Sequence, residues 1–344
     1  MMKNEHDLMM KNEFDDLNEI IVSTVLKNIP KNIKPVIYLM ELLDLSRESV
    51  YRRIRKDIPF SMDELTKLAL TLDFSLDEIV EGSKRERIFF DLGLKNPSNS
   101  VDSFSSVFQE YSSYINSLSK AKSSSVFMAL NCVYPLFTVF FADLFKFNYF
   151  KWLVETQDNI PKNYFSNLVL PQELTALQQK ITEEIKGTRN VAIILSPNIS
   201  LSVIKDIQYY YQRKLINKED LEILRIDLLK MMDFAEDVAR TGRLDGENSQ
   251  IDIYISIPYI NSNTIYMEYD DVSEVHYWIY PTNPMIIRNS EINNIQKKWF
   301  LSLKKSSTLI TQSNEILQAD FFDTQRKLIN RFVVENSENT LIYI

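Results

Sequence analysis

Between Phe14 and Ile79 apolar residues recur at helical spacing in short runs, each closed by a turn signal. Leu17, Ile20, Ile21 and Val25 mark a first helix, which Pro30 ends. Pro35 suits the first turn of a second helix carrying Val36, Ile37, Met40 and Leu43. Ser46 is a good N-cap for a third, with Val50 and Ile54 on its buried side and Pro59 to stop it. Ser61 caps a fourth helix through Leu65, Leu68, Ala69 and Leu72, and Glu64, three residues on, completes a capping box. Ser75 opens a short fifth helix over Leu76, Ile79 and Val80. The pattern predicts an all-α N-terminal domain of five short helices over residues 14–82.

Past Gly82 the pattern changes. Residues 82–99 read as a connector, charged at Lys84–Arg87 and broken at Pro97–Ser100. A helix over 101–120 follows, with Phe104, Val107, Phe108, Tyr111, Tyr114, Ile115 and Leu118 on one stripe. That stripe fits a helix packed on its own domain or a dimerisation helix, so 83–120 is assigned as a linker with a candidate dimerisation helix. From 121 to 344 strands and helices mix. Strands are expected at Ser124–Leu130, Val191–Ser196, Ile251–Ile257, Thr264–Tyr269, Val275–Tyr280 and Thr308–Thr311. Helices are expected at Pro135–Val154, Pro171–Ile185, Leu201–Lys214, Lys218–Arg240, Ser290–Lys305 and Glu315–Phe332. The alternating run Ile251–Tyr259 turns at Asn261–Asn263 into Thr264–Tyr269, which predicts a hairpin. The fold class expected is multi-domain: the all-α N-terminal domain, then a larger α+β domain over 121–344 with a mainly antiparallel sheet.

Composition narrows the class. Of 344 residues, 45% are hydrophobic and 25% charged, as in folded proteins of ordinary type. The single cysteine, Cys132, excludes an internal disulfide and fits a reducing compartment. Residues 1–13, which repeat Met-Met-Lys-Asn-Glu, read as a disordered leader without a signal-peptide run. The most apolar stretch, Val126–Phe150, is interrupted by Asn131, Pro135, Asp143 and Lys146, so it reads as core, not as a membrane span. The expected location is cytoplasmic, with no membrane partner. The 20 Phe, 17 Tyr and 3 Trp mostly build core, with a few available to line an apolar pocket or a subunit interface.

The net charge of −8 argues against a chain that coats nucleic acid as a whole. Charge is unevenly spread, however. Between Lys27 and Lys56 eight basic residues stand against three acidic ones, a surplus of five; between 57 and 82 one lysine faces seven acids. The positive field therefore gathers on the third helix, where phosphate neutralisation would need it. With Ser46 as cap and Val50 and Ile54 facing the core, Arg47, Glu48, Ser49, Tyr51, Arg52 and Arg55 lie on or near solvent. Arg47, Ser49 and Arg52 are candidates for base readout in a major groove. Arg53, Arg55 and Lys56 are candidate phosphate contacts, and Lys34, Ser46, Glu48 and Tyr51 complete the candidate DNA-binding set.

Residues 38–80, YLMELLDLSRESVYRRIRKDIPFSMDELTKLALTLDFSLDEIV, resemble the lambda-repressor-like (Cro/repressor, XRE-type) helix-turn-helix domains. That family packs a small residue, a turn glycine and an aliphatic residue together at a spacing that here selects Met40, Asp44 and Val50. Met40 and Asp44 depart from the pattern, and aspartate tolerates the left-handed turn better than most residues. The arrangement of such a domain before a long α+β domain is also similar to transcriptional regulators of the Bacteroidetes, a likeness carried by Ser124–Trp152 that implies no particular ligand. The resemblance implies a one-component transcriptional regulator that binds double-stranded DNA as a homodimer, its C-terminal domain dimerising and sensing a small-molecule or protein effector. The rival readings are a protein-interaction module without DNA binding and an enzyme fused to a DNA-binding domain.

Catalytic signatures are scarce. His6 lies in the leader, and His276 alternates with aromatics as a satisfied structural histidine would. Two histidines and one cysteine leave no His/Cys zinc set. The five glycines form neither a dinucleotide fingerprint nor a P-loop, and no nucleophile elbow is present. Glu268, Asp270, Asp271 and Glu274 cluster around a turn, where a solvated loop is the simpler reading than a metal or acid–base site. No catalytic residue, cofactor or metal is expected.

Overall fold

The computed structural model describes residues 17–30, 32–72, 74–76, 79, 91–92, 100–156, 162, 164–244, 249–278 and 284–334. The leader 1–13 lies outside the described residues, as do most of the fifth helix and of the connector. The chain divides into two compact units, Met1–Phe89 and Phe90–Ile344.

In the first unit, α1 covers residues 17–28, α2 Pro35–Leu43, α3 Arg47–Ile54 and α4 Met62–Leu72. Their core is Val22, Val25 and Ile29 from the first helical segment, then Leu39, Val50, Phe60, Leu68 and Leu72. The apolar run Ile20-Ile21-Val22 could have turned either of two stripes inward; the structure chooses Val22–Val25–Ile29, leaving Leu17, Ile20 and Ile21 half-buried. Helix α2 ends on Asp44, whose backbone is left-handed (φ 54°, ψ 49°). The N–H groups of Asp44 and Leu45 both reach back to the Met40 carbonyl, so the turn is closed by backbone bonds.

Helix α3 starts where Ser46 Oγ accepts the Ser49 N–H at 3.3 Å. It ends before Pro59 is reached. The Lys56 N–H bonds the Arg53 carbonyl and the Asp57 N–H bonds the Arg52 carbonyl, the double bond pattern of a Schellman ending. Lys56 holds the left-handed position at φ 69°, where glycine is the usual occupant. Helix α4 carries the expected capping box: the Glu64 N–H donates to Ser61 Oγ at 3.3 Å and the Ser61 N–H to Glu64 Oε2 at 2.9 Å.

Among the described residues, the second unit is built on an eight-stranded sheet in the order β1-β7-β6-β5-β2-β3-β4-β8. The strands are β1 Asp91–Leu92, β2 Ser124–Leu130, β3 Val191–Leu195, β4 Ile251–Ser256, β5 Thr264–Tyr269, β6 Val272–Trp278, β7 Pro284–Ile287 and β8 Ser307–Leu309. The principal helices are α5 Ser100–Lys120, α6 Ala142–Thr156, α7 Gln172–Ile185, α8 Leu201–Gln212, α9 Lys218–Thr241, α10 Ser290–Lys305 and α11 Glu315–Val334. Alternate strand residues face two layers. Val126, Leu130, Val191, Leu195, Ile253 and Ile265 meet α5, α7, α9 and α11 on one face, while Ala129, Ile194, Tyr254 and Tyr266 meet Phe300 and Leu303 of α10 on the other.

Of three expectations, the first is refined and the other two need correction. The sheet is mixed: β2, β3 and β4 run parallel, and the other pairings are antiparallel. Parallel strands covered on both faces lose one-sided alternation, so the helical crossovers were the better signal. The hairpin from Ile251–Tyr259 into β5 does not form, because β5 pairs with β2 and β6, and both β2 and β3 stand between it and β4. The Asn261–Asn263 turn instead ties the loop to the end of β2, where Asn263 Oδ1 accepts the Asn131 and Cys132 N–H groups at 2.9 and 3.3 Å. Third, the stripe of α5 is internal: Phe104, Val107, Phe108, Tyr111, Ile115 and Leu118 are all buried in the second unit's own core. It is therefore not available as a dimerisation seam, and α5 belongs to the larger unit.

Smaller differences have local causes. The segment after Pro135 is a 3-10 turn, Pro135–Phe140, separated from α6 by an extended Phe141. The short strands β1 and β7 were not expected from their brief apolar runs. Among the described residues no helix is long and apolar enough to cross a membrane.

Candidate nucleic-acid interface

The candidate residues of the first unit are arranged by the two ends of α3. Val50, 1% exposed, fixes the inner side, and Ile54 packs beside it. A period of 3.6 then turns Arg47, Glu48, Arg52 and Arg55 outward, and all four are exposed, as are Lys34, Ser46 and Lys56. Ser49 and Tyr51 are half-buried.

Tyr51 organises the outer face. The Arg47 guanidinium lies 5.7 Å from its ring centroid and the Arg55 guanidinium 5.5 Å. Residues 47, 51 and 55 are one helical turn apart in succession, so the ring sits between two cations and steers both along one ridge. Aromatic contact of this kind holds an arginine stem while leaving its N–H donors free to bond. Arg52 has no ionic partner among the described residues. Ser49 receives the Ser46 hydroxyl at 3.0 Å, which ties it to the cap. Lys56 meets Glu19 at 3.0 Å, but the side chains are 40% and 66% exposed, and such a pair is worth little in water.

Arg53 is the candidate that the structure reassigns. Its Nε and Nη2 bond the two Glu64 carboxylate oxygens at 2.7 and 2.6 Å, and Nη1 donates to the Ser49 carbonyl at 3.2 Å. Both partners are mostly covered, at 13% and 14% side-chain exposure. Arg53 is thus a clamp between α3 and the first turn of α4, not a free phosphate contact. Burial by itself would raise the Glu64 carboxyl, but the bonds from Arg53 and from the Ser61 N–H outweigh it and hold the group below the usual glutamate range. Glu64 was legible as a capping residue; its second partner depends on the angle at which α4 meets α3, which the sequence does not encode locally.

In the second unit the acidic quartet does not converge. Glu268 pairs with Lys297, and Asp270 accepts the Lys122 and Ser123 N–H groups at 3.0 and 3.3 Å from a left-handed turn. Glu274 is buried beside His276, 3.2 Å away, and takes a bond from Arg288 Nε at 3.0 Å. Burial pushes the Glu274 carboxyl up, but His276 and Arg288 more than offset it and leave it below the usual range. Among the described residues no group of three or more His, Cys, Asp or Glu side chains could hold a metal ion.

No family model, no curated protein and no solved structure matches the chain.

Proposed function

We propose that the chain is a sequence-specific DNA-binding regulator whose α3 enters the major groove, in the manner of lambda-repressor-like helix-turn-helix domains. The observation that carries this reading is the outer face of α3: Arg47 and Arg55 aligned by Tyr51, with Arg52 beside them and without an ionic partner among the described residues, on a helix whose N-terminus is capped by Ser46. The left-handed Asp44 between α2 and α3 supports it further, since the resemblance requires that conformation at that position. Arg47, Ser49 and Arg52, near the N-terminal end of α3, take base edges; Arg55, Lys56 and Lys34 take phosphates; Arg53 holds the fold.

A single α3 touches few base pairs, so useful affinity calls for two copies on adjoining half-sites, with the larger unit as the pairing and effector-sensing part. The test is binding of the full chain to duplex DNA by fluorescence anisotropy across a salt series. Three phosphate contacts per copy give a log–log slope of about −2.7 per bound copy. Replacing Arg47, Arg52 and Arg55 with alanine should abolish binding while the melting of both units is unchanged. Binding that is indifferent to salt and to these replacements would favour a protein-interaction module.

A further inference from the structure

On the helix-covered face of the sheet the second unit keeps a cavity of about 190 Å³. Its floor comes from the inward residues of neighbouring strands, Met128, Ile193 and Ile253 among them, and its roof from Phe137, Phe234 and Phe322. These are large side chains on rigid elements, so the space reflects how they are held apart and not a lack of bulk.

Polar groups are few in the wall, and most are already engaged. The His276 ring bonds Glu274, and the Tyr114 hydroxyl lies 3.2 Å from Glu110 and 3.3 Å from Arg288. Cys132 Sγ receives the Asn263 amide at 3.0 Å. Among the described residues no side chain of permanent charge lines the cavity, so an ionised guest would be buried there without a counter-charge, which is strongly unfavourable. An empty apolar space of this size also forfeits the dispersion contacts its walls would make with an occupant. Cavities of about 150 Å³ walled by Leu, Ile and Phe stay dry and accept benzene.

A second, more polar pocket of about 340 Å³ adjoins it and shares Cys132 and Val133 with it. That pocket lies where the chain leaves the carboxyl ends of β2 and β3, lined there by Asn131, Ser202 and Val203, the usual place for ligands on a parallel sheet. It also holds the Lys151–Asp206 ion pair. The two spaces meet at Cys132 and Val133, the outer one lined by more polar groups than the inner one.

We propose that the inner cavity is a binding site for a compact, uncharged, largely apolar molecule of about eight to ten non-hydrogen atoms, such as a substituted benzene ring, admitted past Cys132 and Val133. This site does not rest on the DNA-binding reading, because it lies wholly in the other unit.

The test is thermal unfolding of the full chain followed by tryptophan fluorescence, since Trp152, Trp278 and Trp299 all belong to the second unit. Ethylbenzene is the probe and benzoate, of similar size but charged, the control. At about a hundred times its dissociation constant ethylbenzene should raise the midpoint by roughly 5–10 °C, saturably, and benzoate should not. Ala235→Leu fills part of the cavity from α9 and should abolish the ethylbenzene shift while melting at least as high as the parent; Val238→Ile serves as a milder filling should Ala235→Leu not fold. No ethylbenzene shift in the parent protein, an equal shift in a folded cavity-filled variant, or an equal shift with benzoate would each overturn the proposal.

Discussion

Replacing Arg53 with alanine separates the stabilising from the contacting cations of α3. The native side chain makes two bonds to Glu64, at 2.6 and 2.7 Å, with both partners mostly covered. Exposed ion pairs contribute about 0–1 kcal/mol, and breaking a fully buried one costs about 3–5 kcal/mol. At this intermediate depth the truncation should cost about 2 kcal/mol, because Glu64 keeps its bond from the Ser61 N–H but loses its counter-charge. The first unit, of fewer than 90 residues, has stability on the order of 5 kcal/mol to draw on. Tryptophan fluorescence is blind to it, because its sequence holds no tryptophan, so the assay is amide hydrogen exchange of the full chain. Amides of α3 and α4 should exchange roughly 30-fold faster, while those of the second unit serve as an internal reference and stay unchanged. Combining Arg53→Ala with Glu64→Gln should be far less than additive, with a coupling of about 1–2 kcal/mol. Additive effects, or exchange in α3 and α4 that accelerates less than threefold, would refute the clamp.

Two further outcomes follow from the same unit. Asp44→Gly relieves a left-handed aspartate (φ 54°) and should leave the first unit as stable or up to about 1 kcal/mol more so, whereas Asp44→Val should cost more than 1 kcal/mol; hydrogen exchange of the α2–α3 amides measures both. Glu64 has a folded pKa below its unfolded value of about 4.3, so its contribution is complete above that value and lost as pH falls through the folded one. An acid titration from pH 6 to 3 should therefore show a loss of first-unit stability that Glu64→Gln largely removes.

Local chemistry made most of the first unit legible. Ser46, Ser61 and Glu64 announce their helix starts because capping is a contact within one turn, and Val50 announces the buried side of α3 because nothing else apolar competes for it. The first helix was harder, since three adjacent apolar residues offer two stripes and only the packed partners decide. The Arg53 clamp was not legible for a related reason: in the sequence Arg53 is one of four nearly contiguous cations, and only the crossing of α3 and α4 singles it out for Glu64. Tyr51 could have been paired with Arg47 and Arg55 from its i−4 and i+4 spacing alone. In the second unit strand positions were legible and their order was not. The Asn261–Asn263 turn carries hairpin chemistry, yet its amide side chain is spent on the end of β2, and that choice is made 130 residues away in the chain.

Whether α3 reads base sequence is tested most directly by selection from a pool of random duplexes by the full chain. The native chain should enrich one short sequence motif, and Arg52→Ala should retain the salt-dependent affinity from Arg55 and Lys56 while losing preference at one position of that motif. A native chain that enriches no sequence, or an enrichment that Arg47→Ala and Arg52→Ala both leave intact, would contradict it.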